Sequence, residues 1–455
     1  MKSYLIGLIL LFIGSFSVYS CTKSAPESQK QQVSISAPEW SFNKTIYEVN
    51  IRQYSQEGTF KALENDLPRL KDLGVGILWL MPIHPIGEVN RKGTLGSYYS
   101  VKDYYDVNPE FGTKEDFRSL VQTAHAMGFY VILDWVANHT AWDNPVAMSN
   151  PEFFEKNEAG EFIPPRGTDW DDVIQLDYNN DATWDYMIDA LKYWVEEFNI
   201  DGYRCDVADM VPTPFWNRAR AELDQIKPVF MLAEAENPEH HFHAFDMSYS
   251  WRMHHLFNKV AQGDESPSVI FDYISEDRSR FPSGAFRMNF TSNHDENSWN
   301  GTVFERMGDA VEVFAVLSGT MEGMPLIYNG QEAGMSKRLE FFEKDPIDWA
   351  DHRLFHIYSK LNWLKATNEA LFNGSKGGEM HMIDSDNEFL FAFYREMNNQ
   401  KVITILNLGP ENITIQMEHP TLSGTFTNLF TNEVEELAGS VQINLSGWDY
   451  KVLYH

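Results

Sequence analysis

Three acidic side chains in this sequence stand where an apolar run stops, and one of them has a cation two residues before it. The run 201–206 reads Asp-Gly-Tyr-Arg-Cys-Asp, so in an extended strand Arg204 and Asp206 project from the same face. A guanidinium beside a carboxylate favours its ionised form, which is what a nucleophilic carboxylate needs. The plainer reading is a structural ion pair at a strand end. The run 229–234 ends in Glu234 after Val-Phe-Met-Leu-Ala. Apolar surroundings raise a carboxyl pKa and suit it to general-acid work. Glu236 competes for that part but lies further into the loop. The run 290–295, Phe-Thr-Ser-Asn-His-Asp, sets His294 beside Asp295. Such a pair can hydrogen-bond hydroxyl groups and place negative charge near a cationic transition state; a loop-capping Asn/Asp cluster is the alternative. The stretch 134–139 adds Asn138 and His139 just past another strand.

These residues need a scaffold that collects strand ends. From Lys44 onward, apolar runs alternate with helical patterns. The runs are 46–51, 76–82, 130–136, 201–207, 229–233, 244–247, 287–291 and 325–328, with helices predicted over 60–73, 114–127 (closed by Gly128) and 181–198. Eight strands with intervening helices predict an α/β fold, a closed (β/α)₈ TIM barrel over 40–139 and 181–375. Working residues then lie at the C-terminal strand ends. The long connection 140–180 after the third strand is read as a small inserted domain, since long loops in compact folds are usually functional. Beyond 376 only short strand-like runs remain, at 389–394, 402–406, 413–417, 424–429, 441–445 and 450–453. They predict an appended antiparallel β-sandwich over 376–455.

The net charge of −30 is opposite in sign to what phosphate neutralisation requires, so nucleic acid is excluded as a partner, whereas a neutral substrate meets no penalty. At the N-terminus, Lys2 precedes an apolar run that ends near Val18, the pattern of a secretory signal over 1–20. Val18-Tyr19-Ser20-Cys21 resembles a bacterial lipobox, in which Cys21 is lipidated and anchors the chain to a membrane. The expected location is exported, on the periplasmic or cell-surface side; plain secretion is the alternative. Residues 21–39, rich in Ser, Gln, Lys and Pro, read as a flexible tether. Cys205 is then left without a partner, and no disulfide framework is available. The cluster His240-His241-x-His243 is read as a solvated loop rather than a metal site, and no His-Glu-x-x-His occurs.

Taken in order, 134–139, 202–206, Glu234 and 293–295 resemble the motifs of the α-amylase family, glycoside hydrolase family 13. The segment 175–179 (Gln-Leu-Asp-Tyr-Asn) is similar to the family's motif in the inserted domain B, and 98–112 to its second-loop region. The resemblance covers about residues 40–455. It implies Asp206 as nucleophile, Glu234 as general acid/base and Asp295 as transition-state stabiliser, with Tyr99, His139, Arg204 and His294 contacting the sugar. It also implies a structural Ca²⁺ held by Asn138 and Asp177, no organic cofactor, and an α-glucan substrate cleaved with retention. Asp209 and Met210 depart from the family's common Lys-His and leave the leaving-group side unread. Trp142, Trp170 and Trp184 are open to either sugar stacking or core packing. The nearest rival is a transglycosylase or isomerase on the same fold. A non-catalytic glycan-binding lipoprotein would lack a catalytic carboxylate, and a solute-binding lipoprotein would need two similar α/β lobes.

Overall fold

The computed structural model describes residues 35–455; the signal segment, Cys21 and most of the expected tether lie outside the described residues. Eight parallel strands close a barrel in sequence order. They are β1 (Ile46–Val49), β2 (Ile77–Leu80), β3 (Tyr130–Trp135), β4 (Gly202–Cys205), β5 (Phe230–Ala233), β6 (Met247–Tyr249), β7 (Phe286–Asn289) and β8 (Met324–Tyr328). The alternation of side chains along each strand sorts them into two cores. Ile46, Ile77, Trp79, Ile132, Phe230, Met247, Phe286, Met288 and Met324 pack together in one cluster, filling the barrel. Leu78, Leu80, Val131, Leu133, Tyr203, Cys205 and Met231 face outward into the larger core shared with the helices.

The helices begin and end where local chemistry dictates. Thr59 caps Phe60–Leu73 by accepting from Ala62 N–H, and Gly74 closes it at φ 82°. Lys114–Ala126 carries a Thr113/Asp116 capping box. Asp181–Phe198 runs from Asn180 to a left-handed Asn199. One glycine is required by packing as well as by conformation: at Gly202, φ is 149° and an added Cβ would meet Phe230 O at 1.9 Å. That contact lets β4 and β5 approach closely, directly below Arg204 and Glu234.

Three expectations need correction. The sixth strand starts at Met247 rather than 244, because the buried Asp246 carboxylate is taken by Arg220 (2.9 Å) and Met231 N–H (2.8 Å) and turns the chain into the barrel. The tether ends before residue 39: Pro38 is already buried, and Trp40 stacks on Tyr130 with ring centroids 3.8 Å apart. The C-terminal strands make one hydrogen-bonded sheet, not two. These are β9 (Met380–Met382), β10 (Leu390–Met397), β11 (Gln400–Asn407), β12 (Ile413–Asn428), β13 (Val434–Leu445) and β14 (Tyr450–Tyr454), ordered β9-β10-β11-β14-β12-β13. The runs 413–417 and 424–429 are two parts of the single strand β12, whose pairing with β13 shifts register between Glu418 and Ser423. One face of this sheet encloses its own core of Ala392, Ile403, Ile405, Met417 and Phe426, while Phe391, Phe393 and Leu406 join the barrel's outer core.

The inserted domain is small. A two-stranded antiparallel ladder pairs His139–Ala141 with Val173–Gln175, in register His139 to Gln175. Two isolated bridges, Phe154 to Leu176 and Lys156 to Phe162, complete it. At the seam between barrel and sheet, two buried cations are held by carbonyl groups. Lys365 donates to Gly323 O (2.9 Å) and Leu371 O (2.6 Å). Arg395 donates to Gly378 O, Met321 O and Phe372 O at 2.8, 2.8 and 3.0 Å. No described helix is long and apolar enough to cross a membrane.

Candidate active site

Parallel pairing places Asp134 opposite Arg204 in register, both facing into the barrel mouth. The Arg204 side chain is fully buried, and its Nη1 donates to Asp134 Oδ1 (2.8 Å) and Asp206 Oδ1 (3.0 Å). Its Nη2 lies 2.7 Å from Glu234 Oε2, and its Nε donates to Tyr249 Oη at 3.2 Å. One cation thus gathers the tips of β3, β4 and β5. At the end of β4 the chain turns sharply: Val207 adopts φ 37°, a strained conformation for a β-branched residue. The turn aims the Val207 N–H at Glu234 Oε2, 2.8 Å away.

A second chain of contacts comes from β1, β2 and β7. Tyr99 Oη lies 2.8 Å from His294 Nε2 and 3.1 Å from Asp134 Oδ2, which also accepts from Trp79 Nε1 at 3.1 Å. His294 Nδ1 is 2.5 Å from Glu48 Oε1, and its Nε2 is 3.3 Å from Asp295 Oδ2. These groups open onto a cleft of about 520 Å³ lined by Tyr99, His139, Asp206, Glu234, His294 and Asp295. Trp170, from the inserted domain, and Trp299, Phe341 and Phe342, from the loops after β7 and β8, form its aromatic walls. Trp170 leans on His139 with ring centroids 5.4 Å apart, and Trp299 on Phe341 at 5.2 Å.

The electrostatics follow from one positive charge shared by three acids. Burial raises the carboxyls of Asp206, Glu234 and Asp134, and Arg204 opposes it at all three. Burial wins at Asp206, where neighbouring carboxylates add to the push. Arg204 favours the ionised form of Asp206, as its place two residues earlier suggested, and it shares that charge with Asp134 and Glu234. Glu234 is among the carboxylates that raise Asp206, and Asp295 raises Glu234 in turn. Burial also lowers His139 to about 3, which keeps that ring neutral.

The matching family model, the alpha amylase catalytic domain, covers residues 24–161 and 168–355. The chain belongs to the alpha-amylase family. It is 25% identical to Alpha-amylase 2 of Dictyoglomus thermophilum, across 88% of this chain and 74% of that one. Among solved structures it is similar to a noncanonic maltogenic alpha-amylase, AmyB, of Thermotoga neapolitana. That match has a TM-score of 0.82 and 32% identity over 90% of this chain and 98% of the other. An alpha-amylase of Lactobacillus plantarum aligns with a TM-score of 0.81 and 31% identity over 91% and 99%. Like its family, the chain is a glycoside hydrolase.

Within the family frame, the structure brings Asp206, Glu234, Asp295, Tyr99, His139 and His294 to one cleft, while Arg204 lies fully buried beneath it, touching the acids rather than the cleft surface. Asn138 and Asp177 behave differently. Gln175 donates its amide to Asn138 Oδ1 (2.9 Å) and to Asn138 O (3.0 Å). Asp177 Oδ1 accepts from Asn179 backbone N–H and from Asn179 Nδ2, both at 2.9 Å. Ca²⁺ takes six to eight oxygen ligands, and here N–H donors already occupy Asn138 Oδ1, Asn138 O and Asp177 Oδ1. Among the described residues, no group of three or more His, Cys, Asp or Glu could hold a metal. The three tryptophans divide: Trp170 lines the cleft, while Trp184 packs on Phe215 and donates to Tyr178 O. Trp142 donates to Asp171 O beside it. Of the histidine cluster only His243 is exposed. His240 and His241 are buried, with Nε2 atoms 3.0 Å from Asp209 Oδ1 and 2.8 Å from Ser248 Oγ. The loop after β5 folds back there, seating Phe245 between Trp216 and His240.

Sequence reasoning missed Glu48, Trp79, Tyr249, Val207 and Trp299. Glu48 and Trp79 alternate with outward apolar residues in their strands, a period-two signal that marks inward polar positions once the barrel is assumed. Val207 and Trp299 depend on a local turn and a π-helix (Glu296–Asn300) that no spacing announces.

Proposed function

We propose that the enzyme hydrolyses α-1,4-glucosidic bonds in starch-derived glucans and malto-oligosaccharides, with retention, by double displacement. The observation that carries this reading is that Asp206 and Glu234 contact the same guanidinium, at 3.0 and 2.7 Å. A shared partner favours the separation of retaining enzymes, about 5–5.5 Å, over the ~6.5–9.5 Å that leaves room for water in inverting ones. In the first step Asp206 attacks the anomeric carbon while Glu234 gives its proton to the leaving oxygen, forming a glycosyl ester on Asp206. In the second, Glu234 takes a proton from water as the water oxygen attacks the same carbon, and the ester breaks to regenerate the Asp206 carboxylate. Asp295 and His294 bind hydroxyls of the reacting sugar, and the aromatic walls offer flat faces to sugar rings. The relatives bear amylase and maltogenic amylase names, which supports the substrate class.

The test is a product profile on maltoheptaose and starch. Wild type should release reducing ends and shorter oligosaccharides, and Asp206→Asn should lose the activity while keeping its fold. Undiminished release by Asp206→Asn would sink the assignment, and longer or rearranged products would replace hydrolysis by transfer. We also propose that the enzyme is exported and anchored through lipidated Cys21, on the strength of the residues 18–21. Incorporation of labelled palmitate that is lost in Cys21→Ser supports this, and a label-free, freely released wild type contradicts it.

A further inference from the structure

Glu48 is an unexpected acid. It sits on β1 with no exposure, its Oε1 on His294 Nδ1 and its Oε2 buried without a hydrogen-bond partner. A buried carboxylate with one unpaired oxygen is costly, so its single contact must matter. On the far side of the same ring, His294 Nε2 faces two oxygens, Tyr99 Oη at 2.8 Å and Asp295 Oδ2 at 3.3 Å. Burial raises the Glu48 carboxyl, and the charge and hydrogen bond of His294 oppose that rise; as a carboxylate, Glu48 has no hydrogen to offer. With Glu48 on one nitrogen and Asp295 on the other, both ring nitrogens are called on to donate. Tyr99 is then free to give its own hydrogen to Asp134 Oδ2, 3.1 Å away.

We propose that Glu48 is a positioning residue that holds His294 as a doubly protonated donor, fixing the charge and orientation of the ring against Asp295. The groups facing the ring from other elements are Glu48 on β1, Tyr99 after β2, Asp134 on β3, Arg204 on β4 and Glu234 on β5, with Asp295 beside it in sequence. Burial disfavours the charged ring and Arg204 opposes it, yet Asp295 and Glu48 outweigh both and raise His294 to about 9. The positive form is thus present below that value and lost as pH rises through it. Its role is to keep the Asp295 carboxylate oriented and a donor aimed at sugar hydroxyls across the neutral range.

The inference rests on the hydrolase reading for its kinetic arm, and its spectroscopic arm is independent of activity. ¹⁵N NMR of the full chain, with the His294 signal assigned by its loss in His294→Asn, should show His294 titrating near 9 in wild type. In Glu48→Gln, which keeps the shape but not the charge, the midpoint should fall by more than one pH unit. The alkaline limb of kcat/KM on maltoheptaose should move with it, so that the variant loses about threefold or more at pH 8.5. Little should change near pH 5.5. Glu48→Asp should restore much of the alkaline activity. An unshifted midpoint in Glu48→Gln, with a pH profile merely scaled down, overturns the proposal. Should Glu48→Gln fail to fold, a wild-type His294 midpoint at or below ~6.5, the ordinary value, overturns it equally. A shifted midpoint in a chain that cleaves no glucan would sink the hydrolase reading and leave this one standing.

Discussion

Arg204 at the barrel mouth and Lys365 at the seam with the C-terminal sheet are both buried cations, and their surroundings could hardly differ more. Arg204 faces three carboxylates, which hold its charge firmly in place. Lys365 has only carbonyl oxygens, and burial, aided by Arg395, lowers its ammonium well below the ordinary value. The first arrangement divides one charge among three acids, and burial raises all three carboxyls against it. The second ties two units of structure together and leaves no group poised to react. At the mouth the buried charge is outnumbered by opposite charges; at the seam it meets none.

Removing each cation breaks the comparison in a different way. Arg204→Met should lower kcat/KM by about 10²–10³-fold or more, as loss of a fixed electrostatic partner does. It should also destabilise the fold by about 3–5 kcal/mol, because the acids are left buried without a cation. Steady-state kinetics and denaturant unfolding measure the two effects, and an active, stable Arg204→Met would contradict the shared-charge account.

Lys365→Met should leave activity unchanged and alter stability in a pH-dependent way. The folded Lys365 releases its proton well below the ~10.4 of an unfolded lysine. Between those values the unfolded chain binds one proton more, so wild-type stability gains with rising pH from this group. Met exchanges no proton, so the stability of wild type relative to the variant should climb through the alkaline range. A constant difference would mean that Lys365 keeps its charge at the ordinary value.

The smallest effect concerns the cleft wall. Trp299 is half exposed and lines the cleft wall beside Phe341. Trp299→Ala should raise KM for maltoheptaose by about tenfold, the loss of ~1–1.5 kcal/mol of aromatic contact, with kcat nearly intact. Equal loss in kcat would move Trp299 into the chemistry.

The contrast between mouth and seam also explains what could be read from sequence. The strand tips carrying Asp206, Glu234 and Asp295 are legible because apolar runs end abruptly in acids, and parallel barrels gather such ends at one face. Glu48 and Trp79 were hidden within apolar strands, where an inward polar residue looks like an interruption. The sheet at the C-terminus was misdivided because β12 reads as two strands: His419, Pro420 and the register shift after Glu418 mimic a turn that the chain never makes. Asn138 and Asp177 matched by position, while the amide that Gln175 gives Asn138 across the His139 ladder is revealed only by the fold. His240 and His241 looked solvated because their partners, Asp209 and Ser248, are distant in sequence.

The central claim is that Asp206 is the nucleophile of a retaining hydrolase. It is tested most directly by incubating the full chain with a 5-fluoro-α-glucosyl fluoride and mapping the labelled peptide by mass spectrometry. The account predicts one added glucosyl unit on the peptide containing Asp206, absent in Asp206→Asn. Label on another carboxylate, or inactivation without any covalent adduct, would contradict it.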